Sequence, residues 1–261
     1  MKLARVAALL SLLLAAGPAA RAQSKPALHT FIACPIYRDT DAGRKSGCWL
    51  ADDSKGVRFD VTLGPVKPQV GHLALIEGVR SNEPETACGG LVLEPVRIAV
   101  LEDSCERQII PADNYPGRPF KSPREMLAPS DQPRSLPPPP YDIEKSFSIY
   151  FEYDRDFLIY QYAELILEKI VLYAKASQAK RVQVTGFAAT EPLVVPGRTL
   201  REPVALAKSR AEMVAEALHR LGVPDASLSL AWHGAPAKTA DLEGGKLPEP
   251  SKRRVVVTVT P

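Results

Sequence analysis

Apolar and polar residues follow two different rhythms along this chain. Between about residues 30 and 110 they fall into short runs bounded by Gly, Pro, Asn and Asp, the pattern of short strands joined by turns. Gly47–Ala51 and Val57–Val61 flank the turn-rich stretch Asp52-Asp53-Ser54-Lys55-Gly56 and predict a hairpin. His72–Val79 predicts another strand, and Leu91–Leu93 and Val96–Leu101 predict two more around Pro95. From Ser146 the rhythm changes. Phe147–Tyr153 alternates as a strand does, with Asp154 and Asp156 placed to start a helix. Ile159, Tyr162, Ala163, Ile166, Ile170, Tyr173 and Ala174 then recur at helical spacing. Arg181–Phe187 predicts a strand. Val204, Ala207, Ala211, Val214, Ala215, Leu218 and Leu221 predict a second helix, closed by Gly222 with Pro224 beyond. Ser227–Trp232 and Arg254–Thr260 complete the order strand–helix–strand–helix–strand–strand, with helices stacked on one sheet.

Composition adds boundaries to this pattern. Lys2 and Arg5 followed by the apolar run Val6–Ala16 and the small-residue site Ala20-Arg21-Ala22 predict a secretory signal over residues 1–22. The run is short of the roughly 20 residues that cross a bilayer. Cys34 lies too far on to carry a lipid anchor, and no other segment is long enough to span a membrane. Of the 33 Lys+Arg in the chain, three lie in the leader, which has no acidic residue; the remainder balances the 30 Asp+Glu. A mature chain without excess positive charge lacks what nonspecific nucleic-acid binding requires.

Ten of the 25 prolines fall between Pro111 and Pro140, so residues 111–145 read as a Pro-rich linker, a semi-rigid spacer between two modest domains. Cys34, Cys48, Cys88 and Cys105 all precede it. An even number of cysteines in an exported chain predicts two disulfides, and none has the Cys-x-x-Cys spacing that zinc sites favour. The pairing Cys34–Cys48 with Cys88–Cys105 closes the shortest loops among three possible connectivities. Residues 30–110 then suit a small disulfide-stapled β-barrel, in which Leu75-Ile76-Glu77-Gly78-Val79 resembles a strand of the OB-fold. A disulfide-stapled sandwich would give nearly the same pattern. Trp49 and Phe59 read as core aromatics, and Asp52, Asp53 and Asp60 lack the ligand repeat of a calcium loop.

Five motifs in order carry a second resemblance. They are Phe151-Glu152-Tyr153-Asp154, Val182-Gln183-Val184-Thr185-Gly186, Ser209-Arg210-Ala211, Leu221-Gly222-Val223 and Arg253-Arg254-Val255-Val256-Val257. Residues 146–261 thus resemble the OmpA-like domain, the peptidoglycan-binding module of outer-membrane proteins, motor stators and lipoproteins. The resemblance implies a βαβαββ two-layer sandwich, and so an α+β chain of two domains. It also implies a site for a diamino acid of the cell-wall stem peptide. There an aspartate after the central glycine pairs with the ligand's ammonium, and the helix arginine holds its carboxylate by charge-assisted hydrogen bonds. Arg210 falls on the arginine position, and Gly186 on the glycine. The aspartate position holds Ala189, which cannot neutralise an ammonium group. The loop from Thr190 to Pro203 is longer than the family's and contains Glu191 and Glu202. Either carboxylate can be drawn into the vacant place; solvated loop charges are the plainer reading. Arg210 in turn can support the loop or pair with an acidic neighbour such as Glu191. Arg253 and Arg254 read as a charged strand edge, in a region that the resemblance implies borders the site.

Three functions follow. Noncovalent peptidoglycan binding, weakened by Ala189, is the first; losing half of a charge pair costs on the order of a few kcal/mol, enough to reduce micromolar binding to near nothing. A degenerate OmpA-like module serving contact with another envelope protein is the second. The third, catalysis, has the least support. His29, His72, His219 and His233 are scattered, and no nucleophile or phosphate-binding motif appears. The reading calls for no cofactor and no metal, and places the chain in the periplasm, against the outer membrane or cell wall.

Overall fold

The computed structural model describes residues 27–40, 47–118, 138–158, 160–236 and 247–261. The leader expected over residues 1–22 and most of the expected Pro-rich linker lie outside these segments.

The N-terminal region is a seven-stranded sheet. Its strands are β1 (Leu28–Ala33), β2 (Ile36–Arg38), β3 (Cys48–Asp52), β4 (Arg58–Asp60), β5 (His72–Arg80), β6 (Leu91–Ser104) and β7 (Gln108–Ile110). They lie in the order β1-β5-β6-β4-β3-β2-β7. The expected hairpin is β3–β4, with Asp53 accepting from the Lys55 and Val57 amides across the turn. The two strands expected around Pro95 are one strand, β6. β1, β2 and β7 carry no alternation long enough to have been predicted.

Two expectations need correction. The sheet does not close into a barrel: β1 and β7 stand at opposite ends of the strand order. The reason lies in burial. Ala74 to Gly78 are buried without interruption, so β5 has both faces covered, whereas a small barrel leaves its outer face to solvent. On one face Phe31, Phe59, Ile76, Leu93 and Ile98 form the domain's own core. On the other Leu75, Ala99 and Leu101 meet the C-terminal region. The disulfides are Cys34–Cys105 and Cys48–Cys88, not the pairs that close the shortest loops. β1 and β6 both run antiparallel to β5 and flank it, so the residues just past their ends, Cys34 and Cys105, share one end of the sheet. Cys48 and Cys88 are buried with Ile36 and Leu50 in a small core of their own.

The C-terminal region runs β8 (Lys145–Tyr150), α1 (Tyr160–Ala176), β9 (Arg181–Ala188), β10 (Leu193–Val195), β11 (Arg198–Leu200), α2 (Val204–Arg220), β12 (Leu228–Gly234), α3 (Pro248–Lys252) and β13 (Arg254–Thr260). The sheet order is β12-β9-β13-β8, with β9 and β12 parallel and β13 antiparallel to both β9 and β8. This is the expected strand–helix–strand–helix–strand–strand order, with a hairpin and a short helix inserted. Val182, Val184, Val255, Val257 and Ile149 face α1 and α2 across one core. The α2 face buries Ala207, Ala211, Val214, Ala215 and Leu218 as its period predicts, but Val204 and Leu221 at its ends are exposed. Leu221 closes the helix, and Gly222 follows at φ 95°, a conformation that suits glycine. α1 starts at Tyr160, after the turn that holds Asp154 and Asp156, so neither aspartate opens the helix.

The described residues on either side of the Pro-rich stretch are tied to the N-terminal and C-terminal regions respectively. Arg118 pairs with buried Asp60 at 2.8 Å, and the Tyr173 hydroxyl donates to the Ile143 carbonyl at 2.8 Å.

A closed arginine site at the domain seam

Gly186 is the hinge of the local geometry. A Cβ there would fall on the carbonyl oxygen of Ala207, so only glycine lets α2 lie this close to β9. That approach carries Arg210, one helical turn on, beneath the end of β9 and the turn that follows β8. Arg210 is fully buried, and all five of its N–H groups are taken. Nη1 donates to Glu202 Oε2 at 2.8 Å and to the Phe187 carbonyl at 3.0 Å. Nη2 donates to Glu202 Oε1 at 2.7 Å and to the Glu152 carbonyl at 3.2 Å. Nε donates to the Arg155 carbonyl at 2.8 Å. The Phe151 ring lies 5.2 Å from the guanidinium.

Glu202 is just as fully engaged. Its side chain is completely buried. Oε2 also accepts from the Ala189 amide at 2.8 Å, and Oε1 from the Asp154 amide at 2.9 Å. The Glu202 amide in turn donates to the Ala189 carbonyl. Burial pushes this carboxyl up, but the Arg210 hydrogen bonds and charge, with Arg253 and the Ala189 amide, overcome it and hold it below the usual range. Asp154, at φ 55°, is pushed up by burial and by the Glu202 charge beside it.

Of the residues singled out in the sequence, Gly186, Ala189, Glu202 and Arg210 come together. Glu191 is exposed at the start of the loop and takes none of the Arg210 bonds. Arg254 is partly buried, with its guanidinium 5.7 Å from the Phe187 ring. The acidic partner of Arg210 is therefore Glu202 rather than Glu191, and Glu202 is no solvated loop charge.

The sequence reading missed the neighbourhood of this pair. Arg253 is buried and forks onto Glu77 of β5 through both Nη atoms. Burial lowers its proton affinity, but Glu77 raises it further, so Arg253 stays charged. Arg97, the cross-strand partner of Glu77, lies 3.5 Å from the buried Glu152 carboxylate. Burial raises the Glu152 carboxyl, and Arg97 and Arg253 oppose that. Four alternating charges thus bridge the two sheets, and Glu152 also lends its carbonyl to Arg210. The β10–β11 hairpin completes the seam: Val195 and Leu200 pack into one apolar cluster with Leu75, Ala99 and Leu101. Arg198 pairs with Asp103 at 2.6 Å, and Arg155 donates to the Val100 carbonyl at 3.1 Å. A charged residue in the middle of an apolar strand, as in Leu75-Ile76-Glu77-Gly78, was the one available signal.

The described residues hold no group of three or more His, Cys, Asp or Glu arranged for a metal, and every cysteine is in a disulfide. No described helix is long and apolar enough to cross a membrane.

Among curated proteins none matches the chain. Solved structures similar to it include the OmpA-like domain of FopA1 from Francisella tularensis subsp. tularensis SCHU S4, at 22% identity over 45% of this chain and 73% of that one, TM-score 0.36. The cell wall anchor of the T6SS from Pseudomonas aeruginosa is similar at 20% identity over 45% and 81%, TM-score 0.35. The peptidoglycan-associated lipoprotein from Burkholderia pseudomallei is similar at 24% over 43% and 89%, TM-score 0.32. The family model of the OmpA family matches residues 150–249, the span that runs from the end of β8 through Arg210 to the start of α3. That span of the chain is a domain of the OmpA family.

Proposed function

We propose that this chain is a non-enzymatic protein of the cell envelope, exported to the periplasm, whose OmpA-like domain serves as a scaffold rather than as a wall anchor. One observation carries the reading: the arginine expected to hold a stem-peptide carboxylate already holds Glu202, with every donor of one group and both oxygens of the other committed. With Ala189 in the aspartate position, nothing there meets a ligand's ammonium either. A diamino acid would have to displace a buried, bidentate ion pair and gain half of the usual contacts in return. The domain instead spends this arginine on its own architecture and presents its remaining surface, together with the N-terminal sheet, to another envelope protein.

Noncovalent binding of peptidoglycan is the second reading, supported by the OmpA-family match and by the presence of both Gly186 and Arg210. Co-sedimentation of the mature chain with purified peptidoglycan sacculi separates the two. The scaffold reading expects the wild-type chain to stay in the supernatant at protein concentrations of tens of micromolar. Pelleting of the wild-type chain, abolished in a Glu202→Ala/Arg210→Ala variant that still folds, would establish wall binding and discard the scaffold reading.

A further inference from the structure

Glu202 is bound as a ligand is bound. Its carboxylate is met by two Arg210 nitrogens and by the backbone amides of Ala189 and Asp154, four donors from three separate elements converging on two oxygens. A fork and two amides around a carboxylate form a receptor, and a receptor built only of donors suits a lone carboxylate rather than a zwitterion. The segment that delivers Glu202 is also the segment clamped from outside. Leu200 and Val195 are buried against Leu75, Ala99 and Leu101 of the N-terminal sheet, and Arg198 is paired with Asp103. Only Arg201 separates Leu200 from Glu202, too little chain for the hairpin to lift while Glu202 stays seated.

We propose that Glu202 is an internal ligand, occupying a carboxylate receptor made by Arg210 and the amides of Ala189 and Asp154, and that the β10–β11 hairpin is a strap by which the N-terminal domain holds it shut. The proposal rests on the reading of the site as closed. It goes further in treating the occupant as exchangeable in kind: what the receptor recognises is a carboxylate on a short aliphatic stem, in cis from Glu202. Lifting the strap vacates the receptor for a carboxylate supplied by another chain.

Chemical rescue tests the receptor. In the full mature chain carrying Glu202→Ala, propionate supplies a free carboxylate on a short aliphatic stem, one carbon longer than the group removed, and propionamide has the same shape without the charge. At about 100 mM, a receptor with a Kd near 1 mM raises Tm by about 5–11 °C. That rise is expected for propionate over propionamide at matched ionic strength. It is absent in the wild type, where Glu202 fills the site, and in Glu202→Ala/Arg210→Ala, where the fork is gone. If Glu202→Ala does not fold unaided, the same comparison is read as refolding yield. Equal effects of propionate and propionamide by both readouts overturn the receptor.

The strap is tested with Glu202 intact. Val195→Asp should speed hydrogen exchange at the Ala189 and Asp154 amides together by at least about tenfold, while the central-sheet amides of Val184 and Val257 keep their rates. Unchanged exchange at Ala189 and Asp154 overturns the strap. Pelleting of the wild-type chain with sacculi would sink the closed-site reading by itself, and leaves the propionate comparison to decide the receptor.

Discussion

At Glu202 and Arg210 the cost of burying two charges is offset by complete coordination. Removing one member alone leaves an uncompensated buried charge, so Glu202→Ala is expected to cost about 3–5 kcal/mol in urea denaturation. Many buried pairs are replaced by apolar residues at little cost, but this one should not be. Five backbone groups depend on it: the Ala189 and Asp154 amides and the Arg155, Phe187 and Glu152 carbonyls. A Glu202→Leu/Arg210→Leu variant therefore stays markedly destabilised, each stranded group costing on the order of 1–3 kcal/mol; a near wild-type urea midpoint would refute this. The pair also sets a pH dependence. The folded pKa of Glu202 lies below its unfolded value near 4.3, so its contribution is fully present above that value and is lost as pH falls through the folded pKa. The urea midpoint of the wild type should drop below about pH 4.5 more steeply than that of Glu202→Gln. Gly186→Ala is a further residue-level case. A methyl directed at the Ala207 carbonyl meets backbone rather than a side chain that can turn away, so the loss should reach about 3 kcal/mol or more.

At the scale of elements, what the sequence showed depended on whether a segment answers to its own neighbours or to distant ones. β13 runs over the residues its alternation predicts, and α2 buries the stripe its period predicts, because both present one face to a single core. β8 ends at Tyr150 rather than Tyr153, since Phe151 and Glu152 already belong to the turn that feeds Arg210. The segment after β9 read only as a long loop because Leu193, Val195 and Leu200 have their partners about a hundred residues away in β5 and β6. The same distance hid the role of Glu202, which looks like any loop carboxylate until the hairpin is folded. Cysteine pairing failed for a related reason: loop length ignores the sheet, whose register places Cys34 beside Cys105 at a sequence separation of 71. Non-reducing peptide mapping should recover Cys34–Cys105 and Cys48–Cys88, and a Cys34–Cys48 peptide would contradict the strand order itself. Within the hairpin, Leu200→Ala removes a side chain buried between the domains and should cost about 2–5 kcal/mol in thermal or urea unfolding.

At the scale of the molecule, the N-terminal sheet region and the OmpA-like region share a charged and apolar seam. Glu77 and Arg97 stand opposite each other on β5 and β6 and are met by Arg253 and Glu152, so neither domain can leave without exposing two buried charges and an apolar patch. Such a seam should make unfolding a single event. The two tryptophans allow a direct measurement, since Trp49 lies on β3 and Trp232 on β12, one in each domain. In chains keeping one tryptophan, with the other replaced by phenylalanine, the urea transitions seen through Trp49 and Trp232 should coincide. Arg253→Met strands the carboxylate of Glu77 in the seam, a cost of about 3–5 kcal/mol that falls mainly on the docked state. The two transitions should then separate, because each domain keeps its own core while the contact between them fails. Glu77→Gln in the same background removes the stranded charge and should bring the transitions back toward each other. Coincident transitions in Arg253→Met at an unshifted midpoint would mean that the charge quartet does not hold the two regions together, and that the apolar cluster under the hairpin suffices alone.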